Sequence, residues 1–422
     1  MPNNQRIERQ PMTDQLHNMR LLAQDSLAGF GNIGEGMAIQ AAKDGRRIMW
    51  LAHESHKDFT AVDVTDPRKP RVILQTDLPH HEMRSNSLAV VGDTMYVAHQ
   101  TSRRGLPDAG MHVYDIATPE EPRLLGVFDV TAPDSQGVHC LWCVDGEYAH
   151  LKTSMPGANP RDPADAQFYV IVDVRDPERP REAGRWWIPG TLEEDTEDPP
   201  ERHTKFNAGF GAHNINVYPR RPDRAYAAFK DGGVVILDIA DKAHPKQVGR
   251  LDYHPPLPGY THTAMPLFDR KLLIVTEESV RWLAEDWPKV VWVMDMSVEQ
   301  NIIMLSSLPL PDPSEFARVG GRFGAHNIHE NQPVPTSLVS ETLIFGTYFN
   351  GGLRVHDISN PLQPKEVAHF VPDEATHGSE LAKMLAKPIP GANLNDVYVD
   401  ENAIVYTVDR QWGGLYTLEL TF

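Results

Sequence analysis

Val113-Tyr114-Asp115-Ile116-Ala117-Thr118-Pro119 is one statement of a phrase that the chain makes seven times. The phrase runs apolar alternation, Asp, an aliphatic residue and a proline turn. It recurs as Ala61-Val62-Asp63-Val64-Thr65-Asp66-Pro67, Ile171-Val172-Asp173-Val174-Arg175-Asp176-Pro177, Ile236-Leu237-Asp238-Ile239, Val293-Met294-Asp295-Met296 and Val355-His356-Asp357-Ile358-Ser359-Asn360-Pro361. A degenerate copy, Tyr416-Thr417-Leu418-Glu419-Leu420, closes the chain. Alternation with period two marks half-buried strands, and an interval of about 50 to 65 residues suits propeller blades. Seven copies predict an all-β, seven-bladed β-propeller.

A short strand opened by proline follows most copies, as in Pro122-Arg123-Leu124-Leu125-Gly126, Pro180-Arg181-Glu182-Ala183-Gly184 and Pro245-Lys246-Gln247-Val248-Gly249. Proline at a strand's first residue is tolerated at a sheet edge, so these read as outermost strands. The last copy has none, because the chain ends at Phe422. The N-terminal segment Asn18-Met19-Arg20-Leu21-Leu22-Ala23-Gln24 fits the outer-strand pattern and lies ahead of the first copy. It is expected to complete the last blade and close the ring. Residues 1–17 then form a tail, and residues 18–422 one propeller, with lid-like insertions near 192–207, carrying His203, and 372–395, carrying His377 and a helical-looking stretch over 379–386.

The phrases, Leu353-Arg354-Val355-His356-Asp357-Ile358-Ser359-Asn360-Pro361 above all, resemble the LVIVD-repeat family of bacterial β-propellers. Blade five departs from the pattern, since Met296-Ser297-Val298-Glu299-Gln300 lacks the proline turn. The resemblance implies a propeller and no single activity, so function has to be argued from the site.

A second motif is laid over the repeat. Phe210-Gly211-Ala212-His213-Asn214-Ile215 returns as Phe323-Gly324-Ala325-His326-Asn327-Ile328, with echoes at Gly137-Val138-His139 and Gly259-Tyr260-Thr261-His262. Each histidine stands where a loop becomes an innermost strand. His139, His213, His262 and His326 therefore share one slot in blades three to six and converge on the axis, while Asn86, Asn395 and the vicinity of Glu35-Gly36 occupy it elsewhere. Four neutral imidazoles suit a divalent transition metal, iron first, with copper, manganese or zinc as alternatives. A metal-free polar funnel is the bland alternative. His329, three residues past His326, faces away on a strand.

On the same face, Glu277 or Glu278 is the expected general base, Glu277 being preferred, with His53 and His99 as rival ligands or bases. Lys152, Lys230, Tyr348 and Arg410 are the expected substrate contacts. Cys140 and Cys143 point to opposite faces of a strand and suit neither a disulfide nor a shared metal.

A net charge of −18 on 422 residues argues against nucleic acid and anionic membranes as partners. With no signal-like or membrane-length apolar stretch, the expectation is a cytoplasmic protein acting on a small molecule, compatible with a homo-oligomer. Glycine-rich phosphate loops and a G-x-S-x-G elbow are absent from the sequence. The leading expectation is an oxidase or oxygenase, because the all-histidine set resembles the iron centre of carotenoid-cleaving oxygenases. A metal-dependent lyase or hydrolase acting on an acidic sugar, lactone or organic acid, similar to oligogalacturonate lyase or the lactonase propellers, is the alternative. A non-catalytic interaction propeller is the third reading.

Overall fold

The computed structural model describes residues 15–372, 391–411 and 413–422. His377, the 379–386 stretch and most of the second expected insertion lie outside the described residues, as does most of the tail. Seven four-stranded antiparallel sheets are formed; the inner strands of blades one to five touch in succession, as do the first regular strands of blades six and seven and those of seven and one. The chain is an all-β, seven-bladed β-propeller.

Within a blade the second and third strands are apolar on both faces and read as continuous buried runs. Arg47–His53 and Phe59–Asp63 of blade one are an example, enclosed by neighbouring blades on either side. The outer strands are partly exposed, as in Arg123–Asp129. One blade departs from the pattern. Blade six has Leu343–Thr347 as its first regular strand, and Ile328 bridges only to Gly346 in place of an extended inner ladder.

Closure is tighter than the sequence suggests. Met19–Asp25 pairs with Leu415–Leu420 and completes blade seven. The three residues before it, Gln15–His17, fall in the expected tail but form a strand on the outer edge of blade six, against Lys365–Val371. Asn18 turns between the two with φ 51° and its side-chain amide donates to Val367 O at 2.8 Å. The N-terminus therefore clasps two adjacent blades.

A local irregularity explains the repeated phrase. In all seven blades the pairing of third and outer strands slips by one residue, at Gly126, Gly184, Gly249, Ser306 and Ala368 among others. At Gly184 and Gly249 the vacated space admits the next blade's turn, and a Cβ there would overlap Lys242 O and Glu299 O. Blade five substitutes Ser306, whose hydroxyl donates to Pro361 O at 2.6 Å. The outer-strand glycine and the following turn are thus two halves of one interblade contact. Gly249→Ala is expected to destabilise by about 1–3 kcal/mol, because the backbone it meets cannot rotate away. An unchanged denaturation midpoint would refute this packing role.

Candidate metal centre

The axial slot has a backbone cause. The first and second strands of six blades slip out of register where the slot residue stands: Glu35 between Ile33 and Met37, Asn86 between Arg84 and Ser87, His139 between Val138 and Cys140, His213 between Ala212 and Ile215, His262 between Thr261 and Thr263, and Asn395 between Leu394 and Asp396. A bulge bends the strand and re-aims a side chain, here inward along the axis. In blade three it is entered through Gly137, with φ 84° and so close to His99 O that no side chain fits.

All four histidines are buried and their rings stand in sequence, with centroids 5.0 Å apart for His139 and His213, 3.9 Å for His213 and His262, and 4.6 Å for His262 and His326. Every Nε2 lacks a hydrogen-bond partner. Two carboxylates join them. Glu35 lies 3.5 Å from His262 Nε2, 3.6 Å from His326 Nε2 and 3.9 Å from His139 Nε2. Glu278 lies 3.6 Å from His326 Nε2, 3.8 Å from His213 Nε2 and 3.9 Å from His262 Nε2. Metal–donor bonds of about 2.1 Å put two donors about 3 to 4.2 Å apart, so these separations suit one shared ion. Glu35 with His139 and His213, Glu35 with His262 and His326, and Glu278 with His213 and His262 are each compact enough to hold one.

The outer contacts set the tautomers. His139 Nδ1 lies 2.8 Å from Gln100 Oε1, whose oxygen is fixed by donation from Arg84 Nε and Nη2. His213 Nδ1 meets Asn214 Oδ1 at 3.0 Å, and His326 Nδ1 meets the Asn395 carbonyl at 2.8 Å. At His213 and His326 these oxygens accept, so the proton sits on Nδ1 and the Nε2 lone pair faces the axis, whereas His139 Nδ1 also lies 3.1 Å from the donor Arg84 Nη2. His262 Nδ1 lies 2.9 Å from the Thr263 hydroxyl. Burial pushes His139, His213 and His262 below the ordinary imidazole value and keeps them neutral, with Lys152 adding to the effect on His139 and His213. Burial works to raise Glu35 and Glu278. The imidazoles of His262 and His326 outweigh it at Glu35, and His326, Arg322 and His262 at Glu278, so both stay ionised.

A cationic rim surrounds the carboxylates. Arg322 donates to Glu278 Oε1 at 2.6 Å, and Arg410 Nη1 lies 4.0 Å from Glu35 Oε1. Glu54 links Arg84 and Arg410 at 2.5 and 2.7 Å. Lys152 is 4% exposed and its side chain makes no hydrogen bond or ion pair among the described residues; burial brings its ammonium down to about 7. Phe349 stacks on His326 at 4.6 Å and Tyr260 stands 5.7 Å from His213, with φ 50° and 70°. That conformation is rare for bulky residues.

Of the expected substrate contacts, Lys152 and Arg410 are therefore brought to the site, and Lys230 and Tyr348 are not, nor is the expected base Glu277. The carboxylate beside the histidines is Glu278 rather than Glu277. Glu277 accepts from Trp292 Nε1 at 3.0 Å and Val290 N at 3.2 Å, because successive residues point to opposite faces. Lys230 Nζ donates to Ala164 O and Ala208 O and clamps a loop. Tyr348 is enclosed among Met265, Leu308 and Ile344. His329 faces away, its Nε2 on Leu338 O at 2.7 Å, and both cysteines are free and buried. His203, in the first expected insertion, stacks on His254.

His53 and His99 belong to a separate buried group between blades one and two. His53 Nε2 meets Thr60 Oγ1 at 2.7 Å, and His99 Nε2 meets Asp58 Oδ1 at 2.8 Å with its ring against His112. Burial depresses His53, His112 and His150 to about 3 and His329 and His356 to about 4. Unfolding lets each take up a proton near its ordinary value of about 6.5, so below that pH the unfolded chain binds more protons. Stability is expected to fall with acid between pH 6.5 and 4, by about 1.4 kcal/mol per pH unit for each imidazole while its folded form stays neutral. Urea midpoints at pH 7.5, 6 and 5 check this. A flat profile would contradict it.

The LVIVD repeat family matches residues 223–252 and 339–371. Two segments of the chain match an LVIVD repeat. These matches fall on blade four, from its second strand into its fourth, and on the three regular strands of blade six that precede the N-terminal clasp. No curated protein matches the sequence. A streptogramin B lyase structure is similar over 96% of this chain and 98% of its own, with TM-score 0.52 and 10% identity. At that identity the likeness is one of fold.

Proposed function

We propose that this LVIVD-repeat propeller is a metal-dependent enzyme in which His139, His213, His262 and His326, with Glu35 and Glu278, hold one divalent transition metal, and that it acts oxidatively on a small organic anion. One observation carries the reading. Five buried donor atoms, the four Nε2 and Glu35 Oε2, converge without partners. An unsatisfied buried polar group costs about 1–3 kcal/mol, so a fold that gathers five of them is organised for an occupant.

Imidazole and carboxylate together favour iron, copper, manganese or zinc, and two carboxylates balance a divalent charge. Iron leads among these. When bound, such an ion supplies redox chemistry or Lewis acidity. The protein's own groups do the rest. Arg84, Arg322, Arg410 and Lys152 give the entrance a positive field that draws and orients a carboxylate or phosphate. Phe349 and Tyr260 wall off the histidines and limit water. A lyase or hydrolase acting on an acidic sugar, lactone or organic acid is the second reading. It is favoured by Lys152, whose unpaired, buried amine is placed to take a proton from a substrate.

Elemental analysis of untagged protein is the test. About one transition-metal ion per chain is expected, falling below about a tenth in His213→Ala. Iron or copper with substrate-dependent oxygen uptake supports the oxidative reading; zinc or manganese with oxygen-independent turnover supports the second. Metal-free protein that stays empty when iron, copper, manganese or zinc is supplied would end both.

A further inference from the structure

The histidine cluster is approached from two sides of opposite charge. On one side stand Arg84, Arg322, Arg410 and Lys152. On the other a narrow axial channel, with about 40 Å³ of room for water-sized occupants, begins at Glu35 and passes between the inner strands. It reaches half-buried Ala89, Val144 and Gln332. No lysine or arginine lines it. Among its polar groups are Glu330 and Asp396 with Asn214, Asn216 and Asn327, whose carbonyl and carboxylate oxygens are hard-cation ligands. Asn214 and Asn216 both donate to Glu330 Oε1, at 3.0 and 3.1 Å, which holds that carboxyl against the channel, and Val397 N donates to Asp396 Oδ1 at 2.8 Å.

We infer that metal reaches the centre through this channel, with Glu330 and Asp396 as stepping carboxylates, while the arginine side is reserved for anions. The inference rests on the metal-centre reading above. Electrostatics decides the direction. A divalent cation arriving over the rim must pass three arginines and Lys152, whose charge Glu54 and Glu278 only partly offset, in a partly desolvated setting. Through the channel it meets no cationic side chain, passes the oxygens of Glu330 and Asp396, and ends on Glu35, which is itself beside His139, His262 and His326. Burial raises both channel carboxyls, and an approaching divalent ion reverses that by favouring their ionised forms. The same polarity separates cargo: an anionic substrate is repelled from the channel and drawn to the rim.

The test is the rate at which full-length protein, stripped by a chelator, takes up Co2+, followed by the visible absorption of the bound ion. Asp396→Asn with Glu330→Gln is expected to slow uptake about 10-fold or more at low salt while leaving the final stoichiometry near one, since steering changes arrival and not the ligand set. Gln332→Arg, which adds a positive charge at the half-buried mouth and leaves the interior intact, is expected to slow it in the same direction. Lys152→Met, on the opposite side, is expected not to slow it. Uptake at the wild-type rate in both channel variants would overturn the route, as would slowing confined to Lys152→Met. Wild-type protein that binds no Co2+ at all would instead overturn the metal centre itself.

Discussion

Alanine at position 262 is expected to leave the protein unable to retain metal and insensitive to chelators. His262 is the middle of the three successive ring contacts, 3.9 Å from His213 and 4.6 Å from His326, and it belongs to two of the three compact donor groups. Its Nε2 is also the only one of the four within 4 Å of both Glu35 and Glu278 apart from that of His326. An ion present at 1,000 times its Kd stabilises the fold by about 4 kcal/mol, and a variant that cannot bind forfeits all of it. Wild-type melting is therefore expected to drop by several degrees on chelation, and His262→Ala to melt at one temperature with or without chelator. The comparison of metal-free forms carries a sign that packing alone would not give. The variant removes a buried imidazole with an unpartnered Nε2, which offsets part of the cavity cost of about 2–5 kcal/mol typical of large-to-small core changes. A structural histidine would instead show its full loss in both conditions. That outcome would refute the metal centre.

Deleting residues 1–25 is expected to be the most damaging change to the fold. It removes the strand against Leu415–Leu420 and the one against Lys365–Val371 together. Met19 and Leu21 leave the apolar cluster they share with Phe345, Phe370 and Leu418, a loss on the order of 3–6 kcal/mol for two substantially buried side chains. Two neighbouring sheets then present open edges, which template association between chains. Insoluble expression, or a soluble product melting well below the full chain and forming oligomers, is the expected result. A monomeric truncation with unchanged melting would show that closure resides elsewhere. Deleting residues 1–18 alone separates the two clasps, since it spares Met19–Asp25 and blade seven.

Much of the ring was legible because its signals are local. The Asp-aliphatic phrase marks the third strand of every blade, and the orphan strand beginning at Met19 found its partner by arithmetic. The clasp at Gln15–His17 was not legible, since Gln-Leu-His carries no strand pattern and its pairing depends on where blade six ends in space. At the axis the four histidines could be read because they share a motif. Glu35 could be placed near the slot and no better. The slip in blade one spans Ile33 to Met37, so counting along the sequence does not say which residue faces inward. Glu277 and Glu278 differ by one position, and pairing of Thr261 with Glu277 turns the first into the blade and frees the second for the axis. His53 and His99 sit at strand ends that look equivalent in sequence, yet a buried acid between the blades, Asp58, captures one of them.

The register slip that presents each axial residue is a property of the backbone and makes no demand on the side chain it exposes. Asn86 and Asn395 occupy the same position as the histidines and spend their amides on His139 O and on Ile33 O and Gly34 O, knitting inner strands together where no donor is called for. Donor set and architecture are therefore separable variables. A lineage or a designer can change the number, charge and hardness of the axial donors blade by blade, trading an asparagine strut for an imidazole or a carboxylate, without rewriting the scaffold around them.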